Sequence, residues 1–160
     1  MQFMMNDEIV NLYSSFKLNE IADFFNDLIG YINKHEGVFS EFTFEDSLKA
    51  TKTFKAEEFF LGTSDYNFKN GVPFYSEKMK DASEREICHN VMNLVWDMAA
   101  FTTKEICPSC QDDYLRLGSS VDRSMIYKIC DNCLSTLLDN QFVESPHDII
   151  PATKEQIQWR

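Results

Sequence analysis

Basic charge is in short supply in this chain: 15 Lys and Arg stand against 26 Asp and Glu, a formal net charge of −11 with a pI near 4.6. Binding along a nucleic-acid backbone depends on Lys and Arg that displace counterions, so this composition argues against it. An anionic membrane surface is disfavoured for the same reason. Glycine is also scarce, with five in the whole chain, and proline with four. Little material is left for a phosphate cradle: there is no Walker A loop and no dinucleotide G-x-G-x-x-G. H-E-x-x-H, G-x-S-x-G and the H-x-E…P-C-x-x-C zinc-deaminase pattern are absent too. No apolar run approaches the roughly 18 residues that read as a membrane span. The first residues, Met1-Gln2-Phe3-Met4-Met5-Asn6-Asp7-Glu8, lack the basic and apolar regions of a secretory signal, and no lipidation motif is seen. The expectation is a cytoplasmic protein, where thiols stay reduced.

The chain has 160 residues, 44% hydrophobic and 14% aromatic, enough for one well-packed domain. Twelve of its fourteen phenylalanines lie at or before Phe74, and residues 1–50 hold nine acids against three bases. The core is therefore expected in the first hundred residues, beneath an acidic surface. Ile21, Phe24, Phe25, Leu28, Ile29 and Ile32 recur at helical spacing and predict a helix over 19–35, with Asn19 as N-cap and Gly37 as stop. A shorter helix is expected from Asp7 to Phe16. Phe42 and Phe44 alternate with acids and Thr43 as in a half-buried strand, whereas residues 46–60 fit neither period. Asn70-Gly71 between aromatic runs predicts a hairpin, with Pro73 confining its second strand to an edge. Ser83 and Glu86 form a capping box that opens a helix over 84–101. A short helix is expected over 134–138, and loop and tail from Pro146. The fold class is α+β: a helical and β-meander body over 1–104 with a small sheet at 38–76, a metal module over 105–140 packed on it, and a loop and tail over 141–160.

Five cysteines require a reducing-compartment explanation. Four form two C-x2-C pairs, Cys107-Pro108-Ser109-Cys110 and Cys130-Asp131-Asn132-Cys133, separated by 19 residues. Each tight turn aims two thiolates at one ion, and two turns complete a tetrahedron, so Cys107, Cys110, Cys130 and Cys133 are the expected ligands of one structural Zn²⁺. Iron suits the same donors; two disulfides or four free thiols are the competing fates. Residues 114–118 and 124–129 are β-prone around a turn at Gly118–Arg123. Over 105–135 the chain resembles zinc-ribbon modules, although Gln111 and Leu134 stand where a ribbon knuckle often has glycine. A closed four-thiolate site has no open position for water, so its role would be structural. Metal loading makes the net charge about two units more negative still. Arg116, Arg123 and Lys128 nevertheless lie on or near the hairpin and could contact RNA.

Other chemistry-bearing residues read more plainly. Cys88 and His89 are neighbours on a helix and point about 100° apart, so Cys88 is expected as a buried thiol beside the apolar stripe. His35-Glu36 reads as a helix end, and His147-Asp148 as a solvated loop. The acid pairs Asp7-Glu8, Glu45-Asp46, Glu57-Glu58 and Asp112-Asp113 read as solvated surface. Phe74, Tyr75 and Trp159 are candidates for exposed anchors.

Small, acidic and without a catalytic motif, the whole chain resembles the immunity proteins of bacterial toxin systems and phage-encoded inhibitors. The likeness is one of general character and transfers no residues. It implies a non-catalytic protein whose partner is a basic toxin or effector domain, such as a nuclease, with carboxylates from residues 7–46 standing in for substrate phosphates. The alternative is a zinc-ribbon regulatory or transcription-associated adaptor using residues 107–133 to contact nucleic acid or polymerase. An enzyme built on dispersed acids and His89 ranks third.

Overall fold

The computed structural model describes residues 2–158, with side chains from Met4 onward. Its first hundred residues are helical: α1 (Gln2–Ser14), α2 (Ile21–Lys34), α3 (Glu36–Phe42), α4 (Glu45–Thr51), α5 (Phe68–Met79) and α6 (Glu84–Ala99). A six-stranded antiparallel sheet follows, made of β1 (Phe101–Ile106), β2 (Tyr114–Ser120), β3 (Ile126–Ile129), β4 (Thr136–Leu138), β5 (Gln141–Val143) and β6 (Ile149–Pro151), before a short α7 (Lys154–Gln158). The class is α+β, with the sheet after the helices. No described helix is long and apolar enough to cross a membrane.

The strand expected at Phe42–Glu45 is absent, because the alternation there spans a helix junction. Phe42 ends α3, Thr43 and Phe44 are extended, and Glu45 opens α4. The hairpin at Asn70-Gly71 is likewise replaced by α5. The Asn67 side chain accepts the Asn70 N–H at 3.2 Å, capping the helix before the turn signal can act. Gly71 is there for space: a Cβ would stand 2.2 Å from the Tyr66 hydroxyl oxygen, so the phenol lies against the helix backbone. Pro73 sits inside α5, where it removes one helical hydrogen bond. The sheet expected over 38–76 is thus helical, and the only sheet among the described residues begins at Phe101.

The amphipathic helices came out near their expected places. α2 buries Phe24, Phe25, Leu28, Ile29 and Ile32, but Asn19 lies in a preceding 3-10 turn and Gly37 within α3, so neither caps it. The Ser83–Glu86 capping box opens α6, each side chain meeting the other's N–H at 3.2 Å. Buried Asn6 of α1 donates to the carbonyls of Met79 and Ala82 just beyond α5, at 2.7 and 2.9 Å. The apolar core runs through all six helices and includes Ile150 of β6.

Residues 141–160, expected as loop and tail, hold β5, β6 and α7. The helix expected at 134–138 is strand β4. The strand order is β1-β2-β3-β4-β5, with β6 continuing along the β1 edge of β2 (Gly118↔Pro151, Ser119↔Ile150). At Gly118 the strands close so tightly that a Cβ would meet Ile149 at 2.4 Å and Ile129 at 2.7 Å. Gln156 of α7 reaches Ser119 Oγ at 2.8 Å, tying the end of the described chain to β2. Trp159 lies outside the described residues.

Candidate metal centre

Each C-x2-C pair occupies a turn between two strands, the first between β1 and β2 and the second between β3 and β4. The turns are built alike. Gln111 N–H donates to Cys107 C=O at 3.0 Å and Leu134 N–H to Cys130 C=O at 2.8 Å. The first cysteine of each pair donates its own N–H across the turn, to Asp113 C=O at 2.8 Å and to Ser135 C=O at 3.0 Å. To close, each turn takes a left-handed residue: Gln111 at φ 60° and Leu134 at φ 64°. These are the positions where a ribbon often has glycine, so the fold imposes the conformation on residues with a Cβ.

The four sulfurs converge, with Cys107, Cys110, Cys130 and Cys133 Sγ all within 4.8 Å of one another. Cys107 and Cys133 lie 3.7 Å apart, and Cys110 and Cys130 3.6 Å. A tetrahedral ion with metal–sulfur bonds near 2.3 Å sets its sulfurs about 3.8 Å apart, so the spacing fits an ion at the centre. It is far beyond a bonded pair near 2.05 Å, and the thiols are free. Polar neighbours suit thiolates. The Asp112 backbone and the Asn132 amide, 3.6 Å away, lower Cys110. Ser135, with its hydroxyl 3.2 Å from the sulfur and its backbone N–H nearby, lowers Cys133 to about 6. Cys130 is buried, which pushes its thiol up to about 12 and leaves it the sulfur most in need of a cation. The four cysteines can hold a metal ion, and among the described residues they are the only such group of three or more His, Cys, Asp or Glu.

How this centre joins the body was not legible in the chain. Arg116 of β2, expected as a surface cation, is buried. One terminal nitrogen donates to Asp97 Oδ1 at 3.1 Å and to Asp131 Oδ2, inside the second knuckle, at 2.8 Å. The other donates to the carbonyls of Trp96, Asp97 and Ala100 at 3.3, 2.9 and 2.7 Å, covering the end of α6. Trp96 Nε1 meets Asp131 Oδ1 at 3.1 Å. Arg123 is spent on Pro151 C=O (2.6 Å) and Gln156 (3.1 Å), and Lys128 on Glu105 at 2.8 Å. Arg116, Arg123 and Lys128 all have internal partners.

The remaining candidates fall elsewhere. Cys88 is buried, and burial pushes its thiol up to about 12, the opposite of nucleophile activation. His35 is buried at the α2–α3 junction, 3.2 Å from Glu8, beside Tyr31. His89 and His147 both line a groove with Phe42, Phe44, Met92 and Trp96, and His147 stacks on Phe44 at 5.5 Å. Among the described residues none of the four acid pairs joins a third His, Cys, Asp or Glu in a group that could hold a metal ion. Phe74 is exposed on α5, while Tyr75 is half-buried. No family model, curated protein or solved structure matches the chain, so neither the ribbon resemblance nor the immunity-protein resemblance gains support from relatives.

Proposed function

We propose that this is a non-catalytic binding protein in which one structural Zn²⁺, held by Cys107, Cys110, Cys130 and Cys133, fixes the sheet against the helices. Its acidic helical surface then captures and occludes a basic protein, as an immunity protein does a toxin or nuclease domain. Four thiolates fill a tetrahedron, leave no site for water and make the metal part of the fold. The observation that carries the binding role is electrostatic. Of nine carboxylates in residues 1–50, only Glu8 and Glu36 form ion pairs among the described residues. Asp7, Glu20, Asp23, Asp27, Glu41, Glu45 and Asp46 are all exposed and form none. Glu20, Asp23 and Asp27 follow one another along the outer side of α2, opposite its buried Phe24, Phe25 and Leu28. Such a field speeds encounter with a basic partner and rejects acidic ones. The adaptor alternative is weakened by the internal engagement of Arg116, Arg123 and Lys128.

The test is to recover the partner of the tagged chain from its host, purify both, and measure inhibition of the partner's activity. Inhibition that falls steeply with salt, and weakens at least tenfold in Asp23→Lys/Asp27→Lys, supports the reading. A partner with no excess of Lys and Arg, or salt-independent binding, overturns it. Metal analysis of the purified protein tests the zinc: about one zinc per chain is expected, and iron or substoichiometric metal refutes that part.

A further inference from the structure

Between α1, α5 and α6, away from the cysteines, lies a cavity of about 170 Å³. Fully buried Tyr13 forms its floor and donates to Asn90 Oδ1 at 2.7 Å. Tyr66, Tyr75, Asn93 and Asp97 line the rest, and no Lys, Arg or His does. The Tyr66 phenol faces this space with Tyr75 and Asp97 as neighbours. Burial raises its pKa first, and the charges of those two groups raise it further. Its placement depends on Gly71, whose missing Cβ makes room for the hydroxyl.

The charges behind the wall do not balance. Among the described residues Arg116 is the one cation in contact with Asp97, through Oδ1, and it is shared with Asp131. One guanidinium therefore serves two carboxylates, and the group keeps one uncompensated negative charge. That charge borders a cavity walled by aromatic rings, whose faces attract cations. Outside the cavity this attraction is already in use: Lys78 Nζ lies 5.2 Å from the Tyr75 ring centroid and 4.8 Å from that of Phe74. Burial and the nearby Asp131 both push the Asp97 carboxyl upward against the lowering effect of Arg116, which agrees with a carboxylate short of positive charge.

We propose that this cavity is a binding site for a small organic cation, an alkylammonium or alkylguanidinium ion, whose head meets the Asp97 carboxylate and whose chain lies against Tyr13, Tyr66 and Tyr75. Size agrees, since a cavity of about 150 Å³ accommodates benzene and a four-carbon amine is of similar bulk. An anion would meet the Asp97 carboxylate and no cation in the lining. The same head group occurs on a free metabolite and on a Lys or Arg side chain of a protein. The site is independent of the proposed acidic docking surface, which lies on other residues.

The experiment is a titration of the full-length, metal-loaded protein with n-butylammonium, n-butylguanidinium and, as a neutral control of similar length, n-pentanol, followed by calorimetry and by amide shifts of residues 66–75 and 90–97. Saturable binding of at least one cation, at least tenfold tighter than pentanol, is expected. Asp97→Asn should weaken it at least tenfold. Because that change also touches Arg116, Tyr75→Leu serves as a second variant that leaves the ion pairs intact and should weaken it several-fold. A lysine-containing tetrapeptide separates the sources: binding as tight as butylammonium identifies a side-chain ligand, and failure to bind beside tight butylammonium a free ion, each within the proposal. Binding of pentanol as tight as the cations, no saturable cation binding, or cation binding unchanged in both variants overturns it. None of these outcomes bears on partner inhibition, so the two readings fail separately.

Discussion

Arg116 donates to Asp131 at 2.8 Å from the middle of β2, and Asp131 lies between the two cysteines of the second knuckle. The same guanidinium covers the carbonyl end of α6, so one side chain joins the cysteine turns to the longest described helix. The metal-end cluster of Cys107, Leu115, Cys130 and Leu137 is small and separate from the helical core. A polar anchor here does what a shared apolar core would otherwise do.

Removing that anchor strands several groups together. Arg116→Met removes the guanidinium from the Trp96, Asp97 and Ala100 carbonyls and from the Asp97 and Asp131 carboxylates, of which the Trp96 carbonyl keeps the Ala100 N–H and Asp131 keeps the Trp96 indole N–H. Breaking one partner of a buried pair costs about 3–5 kcal/mol, and the lower end applies because the two carboxylates keep some contact with solvent. Arg116→Lys should recover little of this, since one ammonium cannot reproduce two nitrogens aimed at different elements. Urea denaturation followed by circular dichroism reads the loss.

Metal removal should act on one end of the molecule. The helical core contains none of the four clustered cysteines, whereas they make up half of the small cluster around them. Chelation is expected to strip hydrogen-exchange protection from 107–138 while most of the helical signal at 222 nm persists. Loss of α1–α6 protection to the same extent would show that the helices depend on the metal.

Local signals with a complete physical partner were legible in the chain. The cysteine spacing was sufficient to bring four sulfurs together, because each C-x2-C pair closes one tight turn. The Ser83–Glu86 box was sufficient because both hydrogen bonds are made within four residues. Signals open to two readings failed. Asn70-Gly71 marks a hairpin only if both residues turn left-handed, and the cap from Asn67 together with the packing of Tyr66 favours a helix instead. Phe42 and Phe44 alternate across a helix junction as well as they would along a strand. Ile149 and Ile150 looked stray because their partners, β2 and the helical core, are distant in sequence. For the same reason Arg116 could not be distinguished from a surface cation.

Alkaline pH should destabilise the protein through its buried acids. Burial pushes Cys88 up to about 12 and raises Tyr13 and Tyr31 as well. A folded pKa above the unfolded one means that the unfolded chain releases its proton first as pH rises. The contribution of Cys88 is therefore full below the ordinary thiol range near 9 and declines as pH climbs from there toward about 12. The urea midpoint should fall between pH 8 and pH 10.5, and fall less in Cys88→Ala once each is referred to its own value at pH 8. In the folded, metal-loaded protein at pH 8, iodoacetamide should leave Cys88 unmodified by mass spectrometry.

The knuckles hold a reserve of stability. Leu134 closes the second turn at φ 64°, a conformation that costs a residue bearing a Cβ about 1–2 kcal/mol, and its side chain is 70% exposed, so little packing would be lost with it. Glycine adopts this φ freely but gives up more entropy on folding, about 0.5–1 kcal/mol. Leu134→Gly should therefore stabilise the protein by a net ~0.5–1 kcal/mol, seen as a higher urea midpoint and slower metal loss to a chelator. Gln111→Gly, at φ 60° in the first knuckle and likewise exposed, should do the same, and because each acts on its own turn the two gains should add. A double variant no better than either single one would mean that the metal, once bound, already imposes both turns at no further cost.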